Sequence, residues 1–275
     1  MSRLPRFAGW AAASVLLVVA CAAIAASFGR FAAEEAEAAR HLAPSAEHWL
    51  GTDGRGRDAL AVLLHGSRSM ALLVWTTVLV SLVVGAALGG PAGWGGTLGD
   101  ALLARAVELS STLPTLIMLA VVRTWEGGDT LLAFALVLGL SRGVELGRLL
   151  RAELLALRST DWVLAARALG ASPSRILVRH VGAHVLSPLW VSVVLTAVHV
   201  VALETALTFT GFESDRPTWG TLLGDEAAPR AAASAALALA IATLGALYVL
   251  GRLLEARLDP RRRRRVPHGR GWARR

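Results

Sequence analysis

The sequence predicts an all-α polytopic membrane protein with about six transmembrane helices. Hydrophobic residues make up 55% of the 275 residues and charged residues only 17%, and the apolar residues are gathered into blocks. A helix needs about 20 mostly apolar residues to cross the hydrocarbon layer of a membrane. Six stretches approach that length: Phe7 to Phe28, Met70 to Gly90, Ala101 to Val122, Thr130 to Leu149, Leu189 to Phe209 and Ala231 to Leu254.

Charged residues interrupt the third and fourth of these stretches. Arg105 and Glu108 lie in the third, and Arg142, Glu145 and Arg148 lie in the fourth. We expect each group near one end of its span, where long side chains reach the membrane surface or face protein instead of lipid. The first, second and last stretches are therefore the clearest spans.

Basic residues indicate the cytoplasmic side. All 28 are arginine, and 20 of them fall in the inner segments when six spans are drawn with the N-terminus inside. An excess of Arg and Lys marks cytoplasmic loops, so both termini are predicted to be cytoplasmic. No basic face interleaved with aromatic residues and no reader motif accompanies the arginines, which disfavours binding to nucleic acid.

The chain has one cysteine, Cys21, which excludes an intramolecular disulfide. It follows a basic start, a short apolar run and the residues Val-Val-Ala, the arrangement in which a lipoprotein signal is cleaved and the cysteine is lipidated. The apolar run continues past it to Phe28, which favours a retained first span with a small buried cysteine. The mass of the mature N-terminus distinguishes the two alternatives.

A long outer segment, residues 29–69, separates the first two spans. Gly51, Gly54 and Gly56 predict turns there, and Asp58 is placed to cap the helix that follows. A Gly-rich loop with Arg and Asp is also a candidate phosphate cradle, but it lacks the Lys-Ser/Thr ending of a nucleotide loop, which favours a structured turn. In the outer loop after span five, Trp219 is predicted to lie at the membrane interface.

The long inner loop between spans four and five is predicted to contain two short helices. Thr160 or Asp161 is placed to cap a helix that ends at Gly170, a residue suited to the left-handed turn that closes helices. Ser172 and Pro173 then begin a second helix as N-cap and first helical residue.

The first short helix carries a narrow face of mostly small residues. Trp162, Ala165, Ala166 and Leu169 form this face at helical spacing, and such a face permits close approach by another protein. The alternative is an amphipathic helix that rests on lipid headgroups, but alanine contributes little free energy of insertion. The pattern therefore favours a protein partner.

The loop resembles a known family. From 162 to 172 it reads Trp-Val-Leu-Ala-Ala-Arg-Ala-Leu-Gly-Ala-Ser, and it is similar to the cytoplasmic loop of the permease subunits of binding-protein-dependent ABC importers. The pattern aromatic-Val-x-Ala-Ala-Arg-x-Leu-Gly-Ala-Ser belongs to the second permease type of the dipeptide, oligopeptide and nickel group. The resemblance implies an ATPase-coupling role for Asp161, Trp162, Val163, Leu164, Ala165, Ala166, Arg167, Ala168, Leu169, Gly170, Ala171 and Ser172.

Four further segments resemble the same group in the same order: 48–58, 105–116, 204–223 and 256–261. Two places depart from its pattern. Leu164 stands where the family has Glu, and Gly182, Ala183 and His184 replace the Leu-Pro-Asn that commonly follows His180. These departures indicate a divergent member whose docking geometry differs in detail.

The resemblance implies an ABC importer type I transmembrane domain in the bacterial plasma (inner) membrane. The implied partners are a second permease subunit, cytoplasmic ABC ATPase subunits and an extracytoplasmic solute-binding protein, with a peptide-like solute as cargo. No cofactor and no enzymatic activity are expected, because a chain without Lys has no Gly-x-x-x-x-Gly-Lys-Ser/Thr loop. The predicted divisions are an N-terminal helix (1–30), an outer segment (31–67), the transmembrane domain (68–258) with its coupling loop (150–187), and an Arg-rich tail (259–275).

Two other constellations are weaker candidates. His180 and His184 have the i, i+4 spacing of paired metal ligands, but no Cys, Asp or third His lies nearby in sequence, so no metal site is predicted. Glu204 is an intramembrane carboxylate and hence a candidate functional residue. The alternative is a structural role, bonded to the neighbouring outer turn, and the resemblance favours it.

Two other functions remain alternatives to the importer. With Glu204, His199 and the membrane Arg–Glu pairs as relay groups, the chain would be an ion-coupled carrier or channel that works alone. A membrane scaffold without transport is the third alternative. The predicted coupling helix favours the importer.

Overall fold

The computed structural model describes residues 4–25, 40–124, 130–177, 181–212 and 216–258. Within these ranges the chain is helical apart from residues 40–58 and short connections, and the only strand-like pairing is an isolated bridge between Thr52 and Asp58. The all-α prediction is confirmed. The helices are α1 (Leu4–Ala25), α2 (Ala59–Trp94), α3 (Thr97–Thr112), α4 (Thr115–Thr124), α5 (Thr130–Arg158), α6 (Asp161–Ala168), α7 (Pro173–Ile176), α8 (Gly182–Phe209), α9 (Trp219–Gly224) and α10 (Arg230–Leu258).

Three of the described helices, α2, α8 and α10, are long and apolar enough to cross a membrane. Helices α3 and α4 together form a fourth candidate span, bent by 73°, and α1 contributes a shorter apolar stretch, Ala11–Ile24. Helix α5 is 29 residues long but carries six charged side chains. A polytopic helical membrane protein is thus confirmed, whereas the count of six spans stays a prediction.

The third predicted span is not one straight helix. Leu113, which follows α3, has an extended backbone with φ −102° and ψ 113°, the conformation favoured before proline. Pro114 has no N–H to continue the helix, and its carbonyl accepts hydrogen bonds of 3.0 and 3.2 Å from the amides of Ile117 and Met118. The Leu-Pro step therefore bends the span that the sequence predicted as a single helix.

Helices α2 and α5 pack backbone to backbone. A Cβ atom added at Gly89 would lie 2.8 Å from the Cα atom of Gly147, and one added at Gly143 would lie 2.6 Å from the Cβ atom of Val84. Small residues at such spacing let transmembrane helices approach closely. On each helix the glycines recur every four residues: Gly85, Gly89 and Gly93 on α2, and Gly139, Gly143 and Gly147 on α5.

An outer core forms where α9 packs against α2, α8 and α10. Trp219 is fully buried in this core, and its Nε1–H donates a 3.2 Å hydrogen bond to the carbonyl of Leu63. Gly66 leaves room for the indole, since a Cβ atom there would lie 2.9 Å from the Trp219 ring. The prediction that Trp219 lies at the membrane interface is wrong, because helices enclose the ring and a helix carbonyl binds its N–H.

Polar residues order the segment that leads into α2. Asp58 caps α2, as predicted, since its Oδ1 accepts hydrogen bonds of 2.8 and 3.0 Å from two amides of the first turn. Gly51 and Gly56 have positive φ angles of 79° and 78°, which confirms turns there. Asp53 and Arg57 form a buried ion pair with an O–N distance of 2.8 Å. The described part of this segment that precedes α2, residues 40–58, is a structured turn.

Candidate functional site on the inner loop

Helix α6 begins at the predicted place but without the predicted side-chain cap. Thr160 occupies the N-cap position with an extended backbone, and no side chain hydrogen-bonds to the first-turn amides. Its hydroxyl donates instead to the carbonyl of Leu157 at 2.6 Å. Asp161 in the first turn and Arg167 in the last turn complement the helix dipole. These charged side chains, rather than a side-chain cap, stabilise the ends of α6.

The turn that closes α6 agrees with the sequence prediction. Gly170 has a φ of 79°, and its amide donates to the carbonyl of Arg167 at 2.9 Å. The amide of Ala171 reaches back to the carbonyl of Ala166 at 3.0 Å. These bonds satisfy the last carbonyls of the helix as a left-handed closing turn does.

The second short helix, α7, also begins as predicted. The Ser172 hydroxyl accepts a 3.4 Å hydrogen bond from the amide of Arg175, and the Ser172 carbonyl accepts one of 3.1 Å from the amide of Ile176. Pro173 occupies the first helical position, where its missing N–H costs nothing. The inner loop is therefore two short helices joined at Gly170, Ala171 and Ser172.

Gly170→Ala is expected to loosen this joint. No atom lies within 4 Å of a Cβ atom added there, so the cost is the left-handed backbone alone, about 1 kcal/mol. Amides of α6 should then exchange with solvent about fivefold faster, because 1.4 kcal/mol corresponds to about a factor of ten. Hydrogen exchange measured by mass spectrometry checks this.

Gly170→Asn is the matched control for that measurement. Asn tolerates the left-handed region far better than Ala, so its α6 amides should exchange at nearly the wild-type rate. Equal acceleration by Ala and Asn would show that the φ angle of Gly170 does not hold the loop.

One face of α6 is fixed to the membrane helices. Val163 is fully buried in a cluster with Leu154 of α5, Ile176 of α7 and Val181 before α8. Ala166 is half-buried against the same cluster. Ala166 therefore does not lie on the open face, where its helical spacing from Trp162 had placed it.

The opposite face of α6 is exposed. Leu169 is 88% exposed and Leu164 is 50% exposed, although both are large apolar residues. Exposed apolar patches of this kind mark contacts with other molecules. Trp162, Ala165 and Leu169 are exposed as predicted, and the other exposed residues from 161 to 169 are Asp161, Leu164, Arg167 and Ala168.

Two ring contacts attach α6 to its neighbours. The rings of Trp162 and His184 have centroids 5.6 Å apart, and the guanidinium carbon of Arg167 lies 5.4 Å from the ring centroid of Trp94. A cation over an indole at this distance is attracted to it. Trp94 is a loop contact that the sequence analysis missed, although a Trp at the inner end of span two is a visible signal.

The described residues of the loop do not form a metal-ligand cluster. His180 lies outside the described residues, and the ring of His184 packs against Trp162. Among the described residues no group of three His, Cys, Asp or Glu side chains is placed to hold a metal ion.

Glu204 lies in α8, five residues before its last residue, and its side chain is 3% exposed. Its backbone carbonyl accepts a 2.9 Å hydrogen bond from the Thr208 hydroxyl. His199 is exposed, and its Nδ1 lies 2.9 Å from the carbonyl of Leu195 on its own helix. The functional role of Glu204 stays a prediction.

A bundle of long apolar helices with a short exposed helix on one loop defines a polytopic membrane protein with a candidate docking surface. The chain belongs to the family of binding-protein-dependent transport system inner membrane components, whose family model matches residues 67–264. The fold is accordingly that of an ABC importer type I transmembrane domain, as predicted. Members of this family are transport components rather than enzymes.

Several curated proteins are similar to this chain. A Brucella suis biovar 1 protein named as a peptide permease is 35% identical over 187 residues, which cover 67% of this chain and 62% of that protein. A dipeptide transport system permease protein from Alkalihalophilus pseudofirmus is 29% identical over 225 residues, 79% and 73% of the two chains. An oligopeptide transport system permease protein from Mycobacterium tuberculosis is 32% identical over 186 residues, 66% and 64% of the two. The chain thus spans less than two thirds of the Brucella protein.

Proposed function

We propose that this chain is a permease subunit of an ABC importer and that it forms, with a second permease, the membrane path for a peptide-like solute. Family membership supports the transport role, and the names of the three relatives support peptide cargo. In this proposal a separate extracytoplasmic protein delivers the solute, and separate ATPases drive its transport. The excess of arginine on one side supports an orientation with α6 and both termini in the cytoplasm.

The exposed face of α6 carries the proposal. A protein that binds Leu164 and Leu169 also acts on Val163, which is buried on the other face of the same two-turn helix against Leu154 of α5. Because α5 is packed backbone to backbone on α2, a displacement of α6 moves both long helices together. We propose that a cytoplasmic ATPase subunit binds residues 161–172 and that closure of two ATPases drives this displacement.

Ala165→Arg tests the ATPase contact. Ala165 is exposed on the open face, and a long charged side chain there prevents close approach. We expect about tenfold less ATPase to co-purify with the tagged importer, the loss typical of a disrupted central contact. Ala256→Arg is the matched control, because Ala256 is also an exposed helical alanine, near the end of α10. That variant should retain the ATPase.

Transport is measured on the same preparations after reconstitution into vesicles with the solute-binding protein. ATP-driven uptake of labelled tri-alanine by the wild-type importer is expected, with loss in Ala165→Arg and retention in Ala256→Arg. Equal ATPase retention by both variants would exclude this face as the ATPase contact. Uptake by the purified chain alone would contradict the importer and support a carrier that works alone.

A further inference from the structure

Helix α5 carries an ion pair on the surface of the described bundle. Arg142 Nη1 contacts Glu145 Oε2, three residues further along the helix. The Arg142 side chain is only 15% exposed, whereas the Glu145 side chain is 53% exposed. Within the described part of the chain the buried Nε of Arg142 has no hydrogen-bond partner. The Arg142 side chain is therefore mostly buried in the bundle, and the Glu145 carboxylate lies at its surface.

The ion pair lies beside the part of α2 that carries no charged residue. Gly143 lies between the two charged residues and faces Val84 of α2. A Cβ atom added at Gly143 would lie 2.6 Å from the Cβ atom of Val84. Val84 belongs to the predicted span Met70 to Gly90, and no Asp, Glu or Arg occurs from 69 to 99. The expectation that this pair lies near one end of its span stays a prediction. Charged groups on a membrane-spanning helix face protein or a water-filled path, because contact with lipid is costly.

A groove of about 280 Å³ adjoins the pair, between α5 and the bent span of α3 and α4. Leu109, Leu113, Met118 and Leu140 are among the residues that make its walls mostly apolar. Ser141 also lines it, and the Ser141 hydroxyl oxygen lies 3.3 Å from that of Thr115. Ser141 precedes Arg142 and is one helical turn from Glu145, so this wall of the groove lies next to the pair along α5.

We propose that the groove and the Arg142–Glu145 pair form a solute subsite on the transport path that holds the amino-terminal residue of a peptide. This inference rests on the proposed import of peptides. The ammonium group of the peptide binds the outward carboxylate of Glu145, and the first side chain lies in the apolar groove. Arg142 holds the carboxylate of Glu145 in place through the ion pair.

A single reporter thiol in the complete importer tests the subsite. Ser141→Cys in a Cys21→Ala background places the reporter in the groove wall, because Cys21 is the only native cysteine of this chain. In vesicles, a water-soluble methanethiosulfonate reagent should label this thiol. Tri-alanine present on both sides of the membrane at about ten times its dissociation constant should slow labelling about tenfold.

Two carboxamide variants locate the effect. Glu145→Gln in the reporter background is expected to abolish protection by tri-alanine while leaving the thiol reactive. Glu255→Gln is the matched control, since Glu255 is also paired with an arginine three residues away, Arg252 at 2.8 Å, and is 52% exposed. It lies near the end of α10, outside the groove, and should retain full protection. Tri-alanine with an acetylated amino terminus should protect weakly in every case.

Three results overturn the proposed subsite. In the first, the thiol at position 141 does not react, which places this face against lipid or the second permease. In the second, tri-alanine does not slow labelling. In the third, tri-alanine still protects the thiol in the Glu145→Gln variant. If Glu145→Gln does not assemble, equal protection by free and acetylated tri-alanine on the reporter alone overturns it. Wild-type uptake of labelled tri-alanine is measured in parallel. Its absence contradicts peptide import itself, whereas uptake with any of these results contradicts only the subsite.

Discussion

Trp219→Ala is expected to lower the free energy of unfolding by about 3–5 kcal/mol, the range for removal of a large buried aromatic side chain. Trp219 is fully buried at the meeting point of α2, α9 and α10, and the substitution leaves a cavity there. It also removes the 3.2 Å hydrogen bond from Nε1–H to Leu63. The loss is a large part of the roughly 5–15 kcal/mol that stabilises a typical domain. Thermal unfolding of the detergent-purified chain, followed by circular dichroism at 222 nm, measures it.

Two variants separate the causes of this loss. Trp75 of α2 is 74% exposed, so Trp75→Ala removes the same atoms from the surface and should shift the unfolding midpoint little. Trp219→Phe keeps an aromatic ring in the core but removes the N–H donor, and its cost should be about 1–2 kcal/mol. Equal midpoints for Trp219→Ala and Trp75→Ala would show that the outer core does not stabilise the bundle.

Local signals in the sequence were sufficient for the joint between α6 and α7. The left-handed turn at Gly170 and the N-cap at Ser172 depend on the residue itself and on neighbours within four positions. The cap of α2 by Asp58 is local in the same sense. Such features follow from backbone geometry and short hydrogen bonds, so a single sequence predicts them.

Features that depend on contacts between distant segments were predicted less well. Trp219 was assigned to the membrane interface from its type and its outer loop, but its environment comes from Leu63 and Gly66, more than 150 residues earlier. Helical spacing grouped Ala166 with Trp162, yet spacing alone does not decide which part of a helix face turns toward α5. The Leu113-Pro114 step is a local signal for the bend. The continuous apolar character of the stretch nevertheless predicts a single span.

The neighbours of the Arg142–Glu145 pair depend on how α2 and α5 are aligned. Composition predicts that both residues lie near an end of a span, because charged residues are rare in membranes, but it does not say which helix they lie beside. The glycines of α2 and α5 set the alignment, and Gly143 is brought beside Val84. The four-residue glycine period on both helices is present in the sequence. It is the signal that would have predicted this contact and hence the position of the pair.

Gly89→Ala is expected to destabilise the bundle by about 1–3 kcal/mol, because overpacking a tight contact has a cost of this size. The added methyl group would lie 2.8 Å from the Cα atom of Gly147, and backbone cannot turn aside as the end of a side chain does. Helix α5 must therefore shift, together with the Leu154 that anchors α6. We expect both the unfolding midpoint and ATP-driven uptake of tri-alanine to fall.

The adjacent residue supplies the control for this contact between α2 and α5. A Cβ atom added at Gly90 meets no atom within 4 Å, and alanine is favoured over glycine in a helix by up to about 1 kcal/mol. Gly90→Ala should therefore unfold at the wild-type temperature or slightly above it and retain uptake. A lower midpoint for Gly89→Ala with unchanged uptake would mean that α2 and α5 stabilise the bundle without transmitting the movement of α6. Equal midpoints for the two variants would show that the close backbone contact itself is absent.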